Sequence, residues 1–292
     1  IVDFLNARAR ENQWGFVDFN RPMVAINQWE QAADSMYTLC GKDRIHPSTD
    51  GHLVMAYLFL KAQGLAGKPV ADIRIDGAGK KVTRSDNCRV SDLSVSSDNL
   101  TFTYEAKSLP YPIDTSYYDN EKHTQADALS VIPFMDEMNY EGLSVSGLSD
   151  GYYGLTIGGE FIGRFTTREL ERGINMALLS NTPQYKQAMK IRQMNEERWL
   201  KERKMREFYW VEYNLMRKTG MLWVCNEAAV DTLRKYRPHD IFLQWNGDLW
   251  LQYMHKGIRE DCVNEQQDLV NQIYEQNKPI PLRIEIKKFT DL

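Results

Sequence analysis

Asp43 and His46 are the residues whose types and spacing best suit chemistry, in the stretch Asp43-Arg44-Ile45-His46-Pro47. An imidazole acts as a general base near neutral pH because its ordinary pKa lies close to that pH. It does so efficiently when a carboxylate holds its other ring nitrogen and stabilises the imidazolium, as in a Ser-His-Asp triad. A loop can bring two side chains three residues apart to one cleft, and a proline stiffens the turn. We therefore predict that His46 is a general base and that Asp43 orients it.

An ordinary structural role is the alternative for this pair, and a bare Asp-x-x-His-Pro match favours it. Asp43 would then pair with Arg44 or cap a turn, and His46 would be a loop histidine. The surrounding pattern favours catalysis, because an apolar run over 13–20 predicts a buried strand upstream and a helix with an apolar stripe starts near Gly51. Catalytic side chains commonly lie on such loops at the strand ends of an α/β sheet.

Residues 1–66 have the pattern that is typical of the end of an α/β layered domain. Besides the strand over 13–20, the sequence predicts helices at 1–12, 21–31 and 51–63. A single parallel strand cannot form a stable sheet, because it is buried on both faces and needs neighbours. We therefore expect the other strands of this domain to belong to a segment that this sequence does not include.

An alternating pattern begins after a linker at 64–69 and predicts a small antiparallel β module over 69–165. The pair Gly158-Gly159 is expected to form a hairpin turn, and 114–129 a long loop. The expected strands are 70–76, 90–95, 100–104, 143–145, 153–157 and 160–162.

Helices dominate from residue 166 onward, so we predict a helical region over 166–292. Its expected helices are 168–179, 183–218, 225–236, 239–256 and 261–276, and they are followed by a strand-like segment at 282–286.

The stretch Asp43–Gln63 resembles the last conserved block of SGNH (GDSL-type) hydrolases, in which an Asp-x-x-His pair precedes the final helix of the fold. Upstream, Phe16–Asn20 looks like the last sheet strand of that family. Downstream, four segments look like the C-terminal extension of some bacterial members: Ser108–Pro112, Leu143–Leu148, Gly151-Tyr152 and Gly173–Ala177.

The resemblance implies a truncated, flavodoxin-like three-layer α/β domain and hydrolysis of acyl esters through an acyl-serine intermediate. It also implies that His46 is the general base and acid and that Asp43 orients it. The chain departs from the family pattern, because it contains no Gly-Asp-Ser and its single Gly-Asp is Gly247-Asp248. No Gly-x-Asn-Asp block precedes Asp43 either. We therefore expect a fragment that is inactive as an esterase by itself, with Ser48 as a turn or cap residue.

Composition excludes some partners. The 36 Lys and Arg residues nearly balance 40 Asp and Glu residues, so no global attraction to nucleic acid or an anionic membrane is expected. No apolar run reaches the roughly 18 residues of a membrane span. Cysteines 40, 88, 225 and 262 form no Cys-x-x-Cys pair, and no two histidines are four residues apart. We predict neither a metal nor a cofactor.

The expected partner is a small-molecule or carbohydrate ester, and the resemblance implies a secreted or periplasmic protein. The alternative is a non-catalytic carbohydrate- or protein-binding module over 69–292. Trp245 and Trp250 would then form a sugar platform, although ordinary packing is the favoured role for both. The helix at 183–218 could also bind a protein partner. The oligomeric state and the pairing of the cysteines stay open.

Two further residues near these motifs have more than one interpretation. His52 is best explained as a solvent-facing residue at the start of the helix that follows the loop. Asn175 is predicted to pack against the β module, with a contact over the active site as the alternative.

Overall fold

The start of the chain folds into three helices, as the sequence predicts. In this computed structural model, which describes residues 1–116 and 123–289, they are α1 (Val2–Asn12), α2 (Asn20–Glu30) and α3 (Thr49–Ala62). Helix α3 buries Leu53, Val54 and Tyr57 in an apolar cluster, whereas α2 has no buried residue. The N-terminus of α3 is therefore a fixed base for the loop that precedes it.

The prediction of a strand over 13–20 is wrong, because the structure shows no strand there. Residues 14–19 have no regular secondary structure, and the amides of 15–19 donate no backbone hydrogen bond to any described residue. A strand forms only when neighbouring strands take up its backbone donors and acceptors. Neither sheet of the described structure includes this segment.

The described residues form nine strands, which make two sheets. In chain order they are β1 (Ala71–Asp76), β2 (Lys81–Asp86), β3 (Cys88–Val95), β4 (Asn99–Ala106), β5 (Glu141–Ser146), β6 (Tyr152–Ile157), β7 (Glu160–Thr166), β8 (Ile174–Asn175) and β9 (Leu282–Lys288). The predicted strands beyond residue 69 are all present, and β2 and β8 were not predicted. Gly158 and Gly159 form the β6–β7 turn with positive φ angles of 60° and 86°, which glycine adopts without strain.

The first sheet has the order β2-β1-β5-β8 and corrects the prediction of a purely antiparallel module. β1 and β5 run parallel, with Ala71 opposite Glu141, while the other two pairs are antiparallel. A parallel neighbour requires a long crossover connection. Three strands and a further segment separate β1 from β5 along the chain, so the connection is long enough.

The second sheet has the order β3-β4-β9-β6-β7 and is antiparallel throughout. Its centre is β9, where Ile286 lies opposite Leu100 of β4 and Leu155 of β6. The strand-like segment at 282–286, predicted within the helical region, is therefore a central strand of the β structure. Residues from both sheets alternate with a period of two and share one buried apolar core.

The remaining helices are α4 (Phe134–Glu137), α5 (Thr167–Arg172), α6 (Pro183–Val211), α7 (Glu227–Tyr236), α8 (Ile241–Tyr253) and α9 (Lys256–Gln276). A π-helical turn at Glu212–Met216 follows α6. Glu212 is buried there, and its carboxylate accepts hydrogen bonds from the Trp250 indole (2.8 Å) and the Trp223 amide (2.9 Å). Among the described residues, no helix has both the length and the apolar composition needed to cross a membrane.

The chain divides into two compact units, which differ from the three parts predicted at 1–66, 69–165 and 166–292. One unit comprises Ile1–Ala188 and Pro279–Leu292, and the other comprises Met189–Lys278. The first unit includes a segment from the end of the chain because β9 completes its second sheet. The second unit, called the helical unit below, has its own buried core.

Candidate active site

The loop that ends at Ser48 is closed on itself in the manner of a hairpin. The Gly41 amide donates to the His46 carbonyl (2.7 Å), and the Ser48 amide donates to the Leu39 carbonyl (3.0 Å). The tip turns tightly at Arg44, which has a positive φ of 58° and donates its amide to the Gly41 carbonyl (2.9 Å). We call residues 39–48 the Asp–His loop. Its two closed sides present Asp43 and His46 together at the tip.

Asp43 and His46 are joined by a short hydrogen bond. The Nδ1 atom of His46 lies 2.5 Å from Oδ2 of Asp43. The other carboxylate oxygen, Oδ1, accepts the backbone amides of Ile45 (2.9 Å) and His46 (3.1 Å). Both oxygens are therefore held, so the carboxylate fixes the direction of the ring.

These hydrogen bonds also set the charge of the carboxylate. The His46 side chain first, and then the amides of Ile45 and His46, lower the pKa of Asp43 to about 2. Asp43 is therefore an anion across the physiological range and can accept a hydrogen bond from Nδ1–H. That arrangement leaves Nε2 as the ring nitrogen for a reacting group, and Nε2 has no hydrogen bond to any described residue.

The pair lies at the surface: the side chains of His46 and Asp43 are 84% and 47% exposed. An exposed ion pair contributes little to the stability of the folded state, because water and salt screen it. The geometry therefore suits orientation of the imidazole better than it suits stabilisation of the fold.

Ser48 is buried at the N-cap position of α3, which agrees with its predicted turn or cap role. Its hydroxyl oxygen lies 3.0 Å from the Leu39 carbonyl oxygen and also within hydrogen-bonding distance of the Asp50 carboxylate, and both of these groups are acceptors. A serine held in this way is not available for attack on a carbonyl carbon. Asp50, which is 1% exposed, was not singled out from the sequence. The available signal was an acidic residue at the start of the predicted helix, directly before Gly51.

The other residues that the sequence singled out have structural roles. His52 is exposed on α3. The side chain of Asn175 bonds to backbone groups of Glu141, Ala177 and Met135, which favours the packing interpretation. Trp250 is fully buried and its indole donates to Glu212, so it cannot form a sugar platform with Trp245.

Residues 1–45 carry a concentration of exposed apolar side chains. Helix α1 buries only Ala9, and α2 buries nothing. Helices of this length gain most of their stability by packing an apolar face, and an exposed apolar patch marks an interaction surface. We call this set the N-terminal apolar surface: Phe4, Leu5, Trp14, Trp29, Met36 and Ile45.

The helical unit has its own exposed aromatic residues and surface cavities. Phe242 stacks near Trp210 (5.2 Å between ring centroids) and Trp245 (5.4 Å). Trp210 also lines a cavity of about 270 Å³ together with Trp199. We call Trp199, Trp210, Phe242 and Trp245 the aromatic patch. Two further cavities of about 420 and 540 Å³ lie in the same unit.

No group of three or more His, Cys, Asp or Glu side chains in the described part of the chain is arranged to hold a metal ion. The thiols of Cys40, Cys88, Cys225 and Cys262 are all free.

The fold and site together define a mixed α/β protein with a helical unit and a surface Asp–His pair. Residues 189–278 match the family model of the diltiazem deacetylase C-terminal helical domain. The chain is also similar to the solved structure of a gut microbial diltiazem-metabolizing enzyme, with 41% identity and a TM-score of 0.91. The similarity covers 99% of this chain and 65% of that one, so this chain spans about two thirds of its length. No curated protein matches the chain.

Proposed function

We propose that this chain supplies the acid–base part of an SGNH-type serine esterase that hydrolyses acyl esters. The nucleophilic serine and the oxyanion donors belong to a segment outside this sequence. The observation that carries the proposal is the 2.5 Å contact between His46 Nδ1 and Asp43 Oδ2, with both carboxylate oxygens held. A deacetylase removes acetyl groups, so the name of the family model that matches the helical unit supports the same reaction.

In the proposed mechanism, His46 Nε2 takes the proton of the serine hydroxyl as that oxygen attacks the ester carbonyl. The carboxylate of Asp43 stabilises the imidazolium that forms. His46 then gives the proton to the leaving alcohol, and an acyl-serine remains. In the second half-reaction, His46 takes a proton from a water molecule as the water oxygen attacks the acyl carbonyl. His46 then returns that proton to the serine oxygen as the acyl–serine bond breaks, which releases the acid and restores the serine.

The N-terminal apolar surface supports the position of the absent segment. Residues 15–19 combine an apolar sequence with backbone amides that have no described acceptor, and they lie between α1 and α2 in the chain. Further strands would supply those acceptors, and the exposed face of Trp14 and Trp29 would be buried against them. The same segment would bring the serine to His46.

Two classes of leaving alcohol fit the proposal. An aromatic small molecule is supported by the substrate in the name of the solved relative. A carbohydrate is supported by the resemblance to secreted bacterial esterases. Hydrolysis of diltiazem and of an acetylated oligosaccharide, measured side by side, distinguishes the two.

A serine-reactive fluorophosphonate tests where the nucleophile lies. The chain alone and the complete gene product that contains it are labelled, and the modified serine is located by mass spectrometry. We expect label on a serine outside residues 1–292, and we expect His46→Ala to abolish that labelling. The matched control is His52→Ala, which changes an exposed histidine six residues away. Label on Ser48 or another serine of this chain would contradict the proposal.

A second candidate function is ligand binding by the helical unit. The observation that favours it is the aromatic patch, in which Trp245 is 66% exposed. Aromatic faces of this kind stack on flat or apolar ligands. Tryptophan fluorescence with acetylated oligosaccharides or diltiazem tests it: Trp245→Ala should remove the response, whereas Tyr274→Ala, an exposed aromatic outside the patch, should not.

A further inference from the structure

Asp50 is a buried carboxylate at the start of α3, where the Asp–His loop ends. It is 1% exposed. Its Oδ1 accepts the Gly51 amide (2.8 Å) and bonds to the Ser48 hydroxyl. Removing a carboxylate from water is costly unless hydrogen bonds or charges compensate. A buried acid at this position is therefore unexpected unless it contributes something that an apolar residue would not.

The partners of Asp50 hold both ends of the Asp–His loop. The Ser48 hydroxyl donates its hydrogen bond to the Asp50 carboxylate, which is the stronger acceptor. The Ser48 amide donates to the Leu39 carbonyl (3.0 Å). Leu39 and Ser48 are the first and last residues of the loop. The carboxylate thus fixes the closing pair of the loop to the N-terminus of α3.

Gly51 permits this contact because it has no side chain. A Cβ atom added at Gly51 would lie 2.0 Å from the carbonyl oxygen of Leu39. The backbone of the loop therefore rests directly on the first turn of α3, beside the Asp50 carboxylate. Small shifts of that carboxylate would be transmitted to the loop, since no flexible side chain lies between them.

The second oxygen of Asp50 faces another segment of the first unit. Its Oδ2 is buried without a hydrogen bond to any described residue and lies 3.6 Å from Nδ1 of His123. The rings of Tyr37 and His123 pack edge to face, with 5.8 Å between the ring centroids. Burial, and then the charge of Asp50, raise the pKa of Tyr37 to about 12. Tyr37 therefore stays neutral beside the carboxylate.

We propose that Asp50 is a positioning residue for the Asp43–His46 pair. As an acceptor for Ser48 and Gly51, it fixes the base of the loop and thereby the orientation of the His46 ring. Its relevance to catalysis rests on the proposed esterase function, whereas its effect on His46 does not. An experiment can therefore refute the positioning role of Asp50 without refuting the proposed esterase function, and the reverse also holds.

The test is ¹⁵N NMR of the histidine rings in the full chain, which reports which nitrogen of His46 carries the proton. In the parent chain we expect the Nδ1–H form, bonded to Asp43. Asp50→Ala should give a mixture of the two tautomers, and Asp50→Asn, which keeps one acceptor oxygen, should restore the parent signal. The matched control is Asp76→Ala, because Asp76 also accepts a backbone amide, that of Gly79 (2.8 Å), but in the β1–β2 turn.

In the complete gene product, Asp50→Ala should lower kcat for ester hydrolysis by about 10- to 100-fold and leave KM within about twofold, the pattern of a misplaced catalytic group. A folded Asp50→Ala chain with the parent His46 signal overturns the proposal. If Asp50→Ala does not fold, Ser48→Ala decides: it should shift the His46 signal in the same direction, and an unchanged signal overturns the proposal. Absence of esterase activity in every protein, with the NMR effect intact, overturns only the proposed function.

Discussion

The Nδ1 atom of His46 lies 2.5 Å from Oδ2 of Asp43, and the other oxygen of the same carboxylate accepts two backbone amides. The backbone of the loop thus fixes the Asp43 carboxylate, and the carboxylate in turn holds the His46 ring. Because the loop itself fixes the carboxylate, the imidazole has a fixed hydrogen-bond partner at Nδ1 even though it lies at the surface.

On the proposed function, Asp43→Asn should lower kcat of the complete gene product for ester hydrolysis by about 10³- to 10⁴-fold, since an amide cannot stabilise the imidazolium and can favour the wrong tautomer. KM should change little. Steady-state hydrolysis of an activated acetyl ester measures both. Asp34→Asn is the matched control, because Asp34 also accepts a nearby amide, that of Met36 (2.9 Å), outside the loop. Equal losses in the two variants would show a general effect on folding.

Asp43 should titrate with a pKa near 2, and His46→Ala should raise that pKa towards the ordinary value of 3.8, because the His46 side chain is the largest cause of the shift. The carboxyl ¹³C signal of Asp43, followed from pH 6 to pH 1.5, measures it. Since the folded-state pKa is the lower one, the contribution of Asp43 to stability is present above about pH 4 and is lost as the pH falls through about 2. A midpoint near 4 in the parent chain would contradict this prediction.

Glu141 should make the first unit less stable as the pH rises. Burial raises its pKa to about 7, although it accepts hydrogen bonds from the Tyr104 hydroxyl (2.8 Å) and the Gln184 amide (3.2 Å). Because the folded-state pKa is above the ordinary 4.5, the stabilising contribution is full below about pH 4.5 and is lost as the pH passes through about 7.

Glu141→Gln should remove that loss, so its melting temperature should exceed that of the parent at pH 8 and fall less between pH 5 and pH 8. Glu105→Gln, which changes an acid of β4 that is not fully buried, is the control and should follow the parent curve. Parallel curves for the parent and Glu141→Gln would refute the prediction.

Gly51→Ala should destabilise the Asp–His loop, since the new Cβ would lie 2.0 Å from the Leu39 carbonyl oxygen. A cost of about 1–3 kcal/mol in the free energy of unfolding is typical of such overpacking. Urea unfolding measures it. Gly15→Ala, where a Cβ would meet no atom within 4 Å, should cost much less. Equal stability of the two variants would contradict the direct contact between the Asp–His loop and α3.

Local patterns in the sequence predicted the helices and most strands, because periodicity reports which face of an element is buried. These local patterns failed where contacts with a distant segment of the chain determine the structure. The run at 13–20 has the composition of a strand but no described neighbour, and the parallel β1–β5 pair and the central position of β9 join residues far apart in the chain. The three-residue spacing was enough to predict that the side chains of Asp43 and His46 lie together. Asp50 is buried beside His123, which is far from it in the sequence, and spacing cannot show such a contact.

The proposed role of His46 as the general base of an ester hydrolase is tested by kcat/KM for acetyl-ester hydrolysis by the complete gene product, with His46→Ala compared with the parent. We predict a fall of at least about 10³-fold, with the protein still folded. A folded His46→Ala protein that hydrolyses the ester at the parent rate would show that His46 is not the general base.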